Sequence, residues 1–293
     1  MSADQALLDL LRLLKAADYH FTTVTPATHA RVVARPCETP GLRDIFGWNR
    51  PFDERDLDAS LLRCLRESDM LENRDRKLRS RVRVASLGDN LLLHSSYPTD
   101  GSDSVFLGPD TYRFVRAVRE HVQAASPKWI VDMGAGSGAG IISSARRNAR
   151  LTAVDINPLA LRFAAINAEA AGVPIETVHS SEMPPGADLV IANPPYIMDE
   201  AQRTYRHGGA LFGGEIALDW ARQAIERMAH GGTMLLYTGA AVAAGAAPLV
   251  EELQKLSFQV EEIDPDVFGE ELDRAAYAEV ERIAVIVATI RKS

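Results

Sequence analysis

Trp129-Ile130-Val131-Asp132-Met133-Gly134-Ala135-Gly136-Ser137-Gly138-Ala139-Gly140 sets the architecture of this chain. Its first five residues read as a buried strand, the alternating glycines as a sharp turn, and Ile141 to Arg147 as a helix. Strand, glycine turn and helix in that order let a ligand approach backbone N–H groups at a helix N-terminus. A second buried strand, Leu151-Thr152-Ala153-Val154-Asp155-Ile156-Asn157, ends in an acid 23 residues after Asp132. A carboxylate there is placed to accept both hydrogen bonds of a ribose diol.

Outward from this unit the alternation continues. Strands are expected near 129–133, 151–156, 175–180, 187–192, 233–238, 257–263 and 282–290, with helices near 139–149, 158–171, 213–229 and 243–256. Such a pattern implies an α/β, Rossmann-like seven-stranded sheet, mostly parallel, with ligands at the carboxyl ends of its strands. The last two strands suit an antiparallel edge pair. Before Trp129 a helix over 110–123 follows Tyr97 to Asp110, a stretch rich in Ser, Asp, Gly and Pro that reads as a linker. The first hundred residues differ: leucines at helical spacing in 6–14 and 61–71, then alternating 81–85, a turn at Gly88-Asp89-Asn90 and an apolar 90–94. Helices followed by a hairpin suggest a smaller α+β, winged-helix-like domain over 1–108, with the ligand-binding domain over 109–293.

The fourth strand, Ala187 to Ala192, runs into Asn193-Pro194-Pro195-Tyr196. Two prolines stop the hydrogen-bond ladder, so the backbone must open there. The bland reading is a turn, since Asn and Pro are common turn residues. The chemical reading is an acceptor pocket for a planar nitrogen: the Asn193 side-chain carbonyl and the Pro194 backbone carbonyl can accept its N–H groups, and Tyr196 can stack on its plane. The glycines alone also satisfy a loose dinucleotide fingerprint, so a nicotinamide-dependent oxidoreductase has to be weighed. Against it, Asp132 sits at the loop entrance, where it would repel a pyrophosphate and attract an amino group.

The ordered set Asp132-x-Gly134-x-Gly136-x-Gly138, Asp155 and Asn193-Pro194-Pro195-Tyr196 resembles the class I S-adenosylmethionine-dependent methyltransferases that modify planar nitrogen. Within that group, Asp155 to Leu161, Asn193 to Ile197 and Leu211-Phe212-Gly213-Gly214 most resemble the release-factor glutamine N5-methyltransferases and their methyltransferase small domain relatives. The likeness covers roughly 127–292. It implies S-adenosylmethionine as cofactor, with the backbone at Gly134, Gly136 and Gly138 close to it and Asp132 at its amino-acid end. Asp155 would bind its ribose, Ile156 would pack on its adenine, and Ser181 or Glu182 would meet the adenine amine. Asn193, Pro194 and Tyr196 would form the catalytic acceptor pocket, and Asn193 would also border the cofactor. His207 could lie over the site, although a lone loop histidine is more often solvated.

Composition bounds the partners. Hydrophobic residues make up 46% and charged residues 25%, ordinary for a globular protein, and the net charge is −8. That balance favours a protein glutamine side chain over nucleic acid, whose phosphates draw on Lys and Arg. The alternative acceptor is an exocyclic base amine in RNA or DNA, or a small-molecule amine. The eight bases against four acids between Leu61 and Arg83 bear on it. They read as a solvated helix face, although Arg74 to Arg83 could steer a polyanion. No apolar stretch has membrane-spanning length, no metal-ligand cluster appears, and Cys37 and Cys64 suggest no disulfide framework. With no basic start to the chain, a cytoplasmic enzyme without metal or membrane partner is expected.

Overall fold

The computed structural model describes residues 2–99, 101–124, 126–199, 203 and 205–293. The chain opens with α1 (Ala3–Ala16), α2 (Pro26–Val33) and α3 (Ala59–Glu67). Each starts on a side-chain cap: Ser2, Thr25 and Asp58 accept from backbone N–H groups of the first turn. Leu7, Leu10, Leu11 and Leu14 of α1, at helical spacing, are buried together. Two hairpins follow, β1 (Leu71–Arg74) with β2 (Lys77–Ser80) and β3 (Val82–Leu87) with β4 (Asn90–Ser95).

The second hairpin is the expected one. The first corrects the reading of the basic run: Arg74, Lys77 and Arg79 lie in strands, not on a helix face. Asp75 and Arg76 at its turn have φ of 52° and 65°, the geometry of a tight hairpin turn, adopted here without the usual glycine. Half of the run is engaged by close partners. Arg66 pairs with Glu54 and Lys77 with Asp53, while Arg79 donates to backbone carbonyls of Asn49 and Tyr97. Arg83 is buried and donates to the Gly47 carbonyl.

The second half contains α4 (Pro109–Ala124), β5 (Trp129–Met133), α5 (Ala139–Ser143), β6 (Arg150–Asp155), α6 (Pro158–Ala170), β7 (Glu176–His179) and β8 (Leu189–Ala192). After these come the single turn α7 (Ala210–Gly213), α8 (Glu215–Arg227), β9 (Thr233–Val242), α9 (Pro248–Lys255), β10 (Gln259–Asp264) and β11 (Arg282–Arg291). Seven strands form one sheet in the order β10-β11-β9-β8-β5-β6-β7, with β5 to β9 parallel. The expected Rossmann-like sheet is therefore present. The helix after the glycine turn is shorter than expected: it ends at Ser143, where the Ser144 hydroxyl turns back onto the Ile141 carbonyl at 2.8 Å. The final pair is antiparallel, but β11 lies inside the sheet between β9 and β10. Burial explains it: β11 is apolar and largely covered, whereas β10 exposes Gln259, Glu261 and Glu262, polar and charged side chains suited to a free edge.

The two halves share a core. Ala160, Phe163 and Ile166 of α6 pack with the leucines of α1 and with Val84 and Leu93 of the second hairpin. Asn167, fully buried on the same helix, accepts from Leu93 N–H at 2.8 Å and donates to the carbonyls of Leu93 (3.1 Å) and Ser137 (2.9 Å). Asn167→Ala is expected to destabilise the fold by about 3 kcal/mol, because three buried backbone groups lose their partner at once. Urea unfolding measures this, and an unshifted midpoint would mean that water replaces the amide without cost.

Candidate active site

At the carboxyl edge of the parallel strands, where chain order reverses between β5 and β8, the sheet opens into a cavity of about 480 Å³. Open α/β sheets bind ligands at this point, and the volume suits a compact organic molecule. Gly134, Gly136 and Gly138 adopt φ of 71°, 53° and 79°, a region side chains resist. The loop thereby folds onto β6: Gly134 and Ala135 both donate to the Val154 carbonyl, and Gly136 N–H donates to Asp155 Oδ2 at 2.9 Å. Asn157 N–H donates to the other Asp155 oxygen, also at 2.9 Å. Burial raises the Asp155 pKa, and these backbone donors oppose the rise.

Gly134, Gly136, Asp155, Ile156, Ser181 and Glu182 all line the cavity. Ile156 is 51% exposed, a bare apolar surface at the mouth of a binding cleft rather than a core residue. Glu182 is tied to Arg227 at 2.9 Å. Two of the expected residues stand behind the wall. Gly138 packs against Ala164 of α6, where a Cβ would lie 3.1 Å away. Asp132 is 1% exposed and accepts from Ile141 N–H at 2.8 Å.

Burial pushes the Asp132 pKa up to about 8; the Ile141 N–H opposes this and the Asp155 carboxylate adds to it. The folded protein thus holds this proton more tightly than the unfolded chain. Stability from this residue falls as pH rises from the ordinary carboxylate range through about 8. Asp132→Asn is expected to gain thermal midpoint relative to the parent on going from about pH 5 to about pH 9. Parallel midpoints over that range would show that the carboxyl ionises freely.

Asn193, Pro194, Pro195 and Tyr196 leave β8 at the same cavity. Their turn is held by backbone contact with the following loop: Ile197 N–H donates to the Arg206 carbonyl at 3.1 Å, and Gly208 N–H to the Ile197 carbonyl at 2.9 Å. A Cβ on Gly208 would come within 2.7 Å of the Pro195 carbonyl, so the approach requires glycine. His207 is not on the cavity wall; its Nδ1 accepts from Asp199 N–H at 3.2 Å and braces the loop.

Tyr196 is 7% exposed, and its ring lies directly on the backbone of Gly239 in β9. Phe268 meets it edge-on, with ring centroids 5.8 Å apart. Its hydroxyl finds no hydrogen-bond partner among the described residues. Beside it Asp110, 5% exposed in the first turn of α4, accepts from the Tyr237 hydroxyl at 2.6 Å. Phe106, Tyr205 and Arg206 line the same cavity. Arg206 is itself held by Glu271 and stands 3.6 Å from Asp199. The linker reaches the site too, since the Thr99 carbonyl accepts from the Tyr205 hydroxyl at 2.6 Å; Asp100 in that stretch lies outside the described residues.

Asp110, Tyr237, Gly239 and Phe268 were not among the residues expected from motifs. Gly239 alone carries a local signal, a glycine inside an apolar strand, which marks close backbone approach.

Residues 115–242 match the family described as the methyltransferase small domain. The match runs from α4 to the end of β9 and so takes in the glycine loop, Asp155 and the Asn193–Tyr196 turn. The strand order around that match is Rossmann-like.

Curated relatives include the release factor glutamine methyltransferase of Enterococcus faecalis, 42% identical over 100 residues, 30% of this chain and 36% of that protein. Those of Lactococcus lactis and Deinococcus radiodurans are 31% and 30% identical, over 56% of this chain in each case and 65% and 63% of theirs. The chain thus spans less than two thirds of the length of these relatives. Among solved structures, a SAM-dependent methyltransferase of Agrobacterium tumefaciens superposes with a TM-score of 0.48 at 16% identity, over 73% of this chain and 71% of its own. No helix among the described residues is long and apolar enough to cross a membrane, and no cluster of metal-ligating side chains occurs among them.

Proposed function

We propose that the protein transfers a methyl group from S-adenosylmethionine to the side-chain amide of a glutamine in a protein. The observation that carries this reading is that one cavity joins the glycine loop, Asp155 and Ile156 to the Asn193–Tyr196 turn. The residues fit that cofactor. Among the described lining residues five are acids, Asp110, Asp155, Glu182, Asp219 and Glu270, against one base, Arg206. Such a wall suits a cationic ligand and disfavours the pyrophosphate of a nicotinamide dinucleotide.

When bound, S-adenosylmethionine supplies a methyl group on a positively charged sulfur. Asp155 would hold the ribose hydroxyls and Ile156 the adenine, with Ser181 and Glu182 at its edge. An amide nitrogen is a weak nucleophile because its lone pair is delocalised, so the protein must align it and stabilise the charge that develops as it attacks. The Asn193 and Pro194 carbonyls do this by accepting its N–H groups, and Tyr196 forms the wall against its plane. No strong general base is required.

A glutamine acceptor is favoured over a nucleic-acid base by the surface as well as by the relatives. The acceptor end is aromatic and acidic, its one arginine is already paired, and in the basic hairpin Lys77 is paired with Asp53 while Arg79 is engaged by backbone carbonyls. A bacterial peptide-chain release factor is the substrate we propose, and the cytoplasm the compartment. Incubation of the purified protein and radiolabelled S-adenosylmethionine with such a factor in the presence of cellular RNA tests the substrate. Label in the factor, resistant to nuclease and sensitive to protease, is expected; label in RNA alone would overturn the protein substrate.

A further inference from the structure

Asp110 is the buried acid at the acceptor end for which methyl transfer as proposed has no use. Its surroundings are specific. One carboxylate oxygen accepts from the Tyr237 hydroxyl at 2.6 Å, and the group is 5% exposed on the wall that also carries Asn193 and Tyr196. The Tyr196 hydroxyl is buried beside this carboxylate but outside good hydrogen-bond geometry, and a buried hydroxyl left so costs about 1–3 kcal/mol. Asn193 poses a second problem. The two ends of a carboxamide have nearly the same shape, yet only the carbonyl end can accept an N–H from the substrate amide. Something must choose between them, and a carboxylate does so: it accepts from the amino end and repels the carbonyl.

We propose that Asp110 is a positioning residue for methyl transfer: anchored by Tyr237, its carboxylate draws in the Asn193 amino group and the Tyr196 hydroxyl, so that the Asn193 carbonyl faces the acceptor nitrogen. The inference rests on the methyl-transfer reading and adds to it the group that sets Asn193.

The groups facing Asp110 come from four elements: Tyr237 on β9, Asn193 and Tyr196 on the turn after β8, Arg113 on α4, and Asp264 of β10, which lies 3.0 Å from Arg113. Burial raises the Asp110 pKa, while Tyr237, Tyr196, Arg113 and Asn193 draw it back. A protonated Asp110 would donate a hydrogen bond to the Asn193 carbonyl and reverse the amide. Turnover is therefore lost on the acid side, at a pH above the ordinary carboxylate range.

The test uses the full chain, a bacterial release factor as acceptor and saturating S-adenosylmethionine. Asp110→Asn is expected to lower kcat about 10- to 100-fold with cofactor Kd within about twofold, and to abolish the acid limb of the kcat profile. Tyr237→Phe should lower kcat in the same direction and add little on top of Asp110→Asn, since both act through one carboxylate. A parent-like kcat in Asp110→Asn, or an acid limb that persists in it, would overturn the proposal. So would a Tyr237→Phe effect that multiplies fully with the first. Should Asp110→Asn fail to fold, Tyr237→Phe decides alone: parental kcat and an unmoved acid limb would sink the idea. A parent enzyme that labels no release factor defeats the methyl-transfer reading itself, whereas an active parent with an indifferent Asp110→Asn defeats only this inference.

Discussion

Asn193→Ala is expected to reduce kcat about 100- to 1000-fold while S-adenosylmethionine binds within about twofold of its parental affinity. The size follows from what the side chain does. On the proposed mechanism its carbonyl is one of two acceptors for the substrate N–H groups, and its interaction strengthens as those hydrogens become more acidic during attack. Such a group stabilises the transition state more than the ground state, so its loss falls on turnover. On the same reading the cofactor is held by other parts of the cavity wall, Gly136, Asp155 and Ile156 on the glycine loop and at the end of β6. Single-turnover transfer measured beside calorimetric cofactor binding separates the two effects. Parental turnover in the variant would remove Asn193 from the mechanism, and a collapse of cofactor affinity would place it in the wrong half of the cavity.

The legible and illegible parts of the site divide by how far apart in the chain their causes lie. Glycines at 134, 136 and 138, the acid at 155 and the prolines at 194 and 195 each end a strand, so local residue chemistry is enough to place them along one edge of the sheet. Asp132 was visible in the same way, yet it faces Ile141 N–H behind the wall, because the strand reverses side-chain direction at every residue and the loop closes over it. Asp110 could be read only as the start of a helix, since its work depends on Tyr237, 127 residues away. Asn167 looked like one more residue of a helix, and its bonds to Leu93 are set by how that helix docks on the second hairpin. The basic run from 74 to 81 has no glycine at its turn, so hairpin chemistry was hidden behind charge. The place of β11 inside the sheet required comparing the solvent exposure of two strands, which pattern alone does not report.

Gly239→Val makes the hidden part of the site measurable. A side chain there would begin inside the ring of Tyr196, and one of the two must give way. The strand has little freedom to move: β9 is paired along β11, with Gly239 opposite Val285, and along β8 at its start. The ring is the softer partner, so Tyr196 is expected to be pushed toward the acceptor space and Phe268. Displacement by about 1 Å at a reacting centre costs on the order of 100-fold in rate, and turnover should fall by that much. Overpacking should also cost about 1–3 kcal/mol of stability. The two effects separate in a Tyr196→Ala background. Once the ring is gone, Gly239→Val has nothing to displace and should change turnover little, so the double mutant should be no slower than Tyr196→Ala alone. Independent, multiplying effects would mean that Gly239 acts on something other than Tyr196. Parental turnover in Gly239→Val itself would mean that the ring is not held where the acceptor must lie.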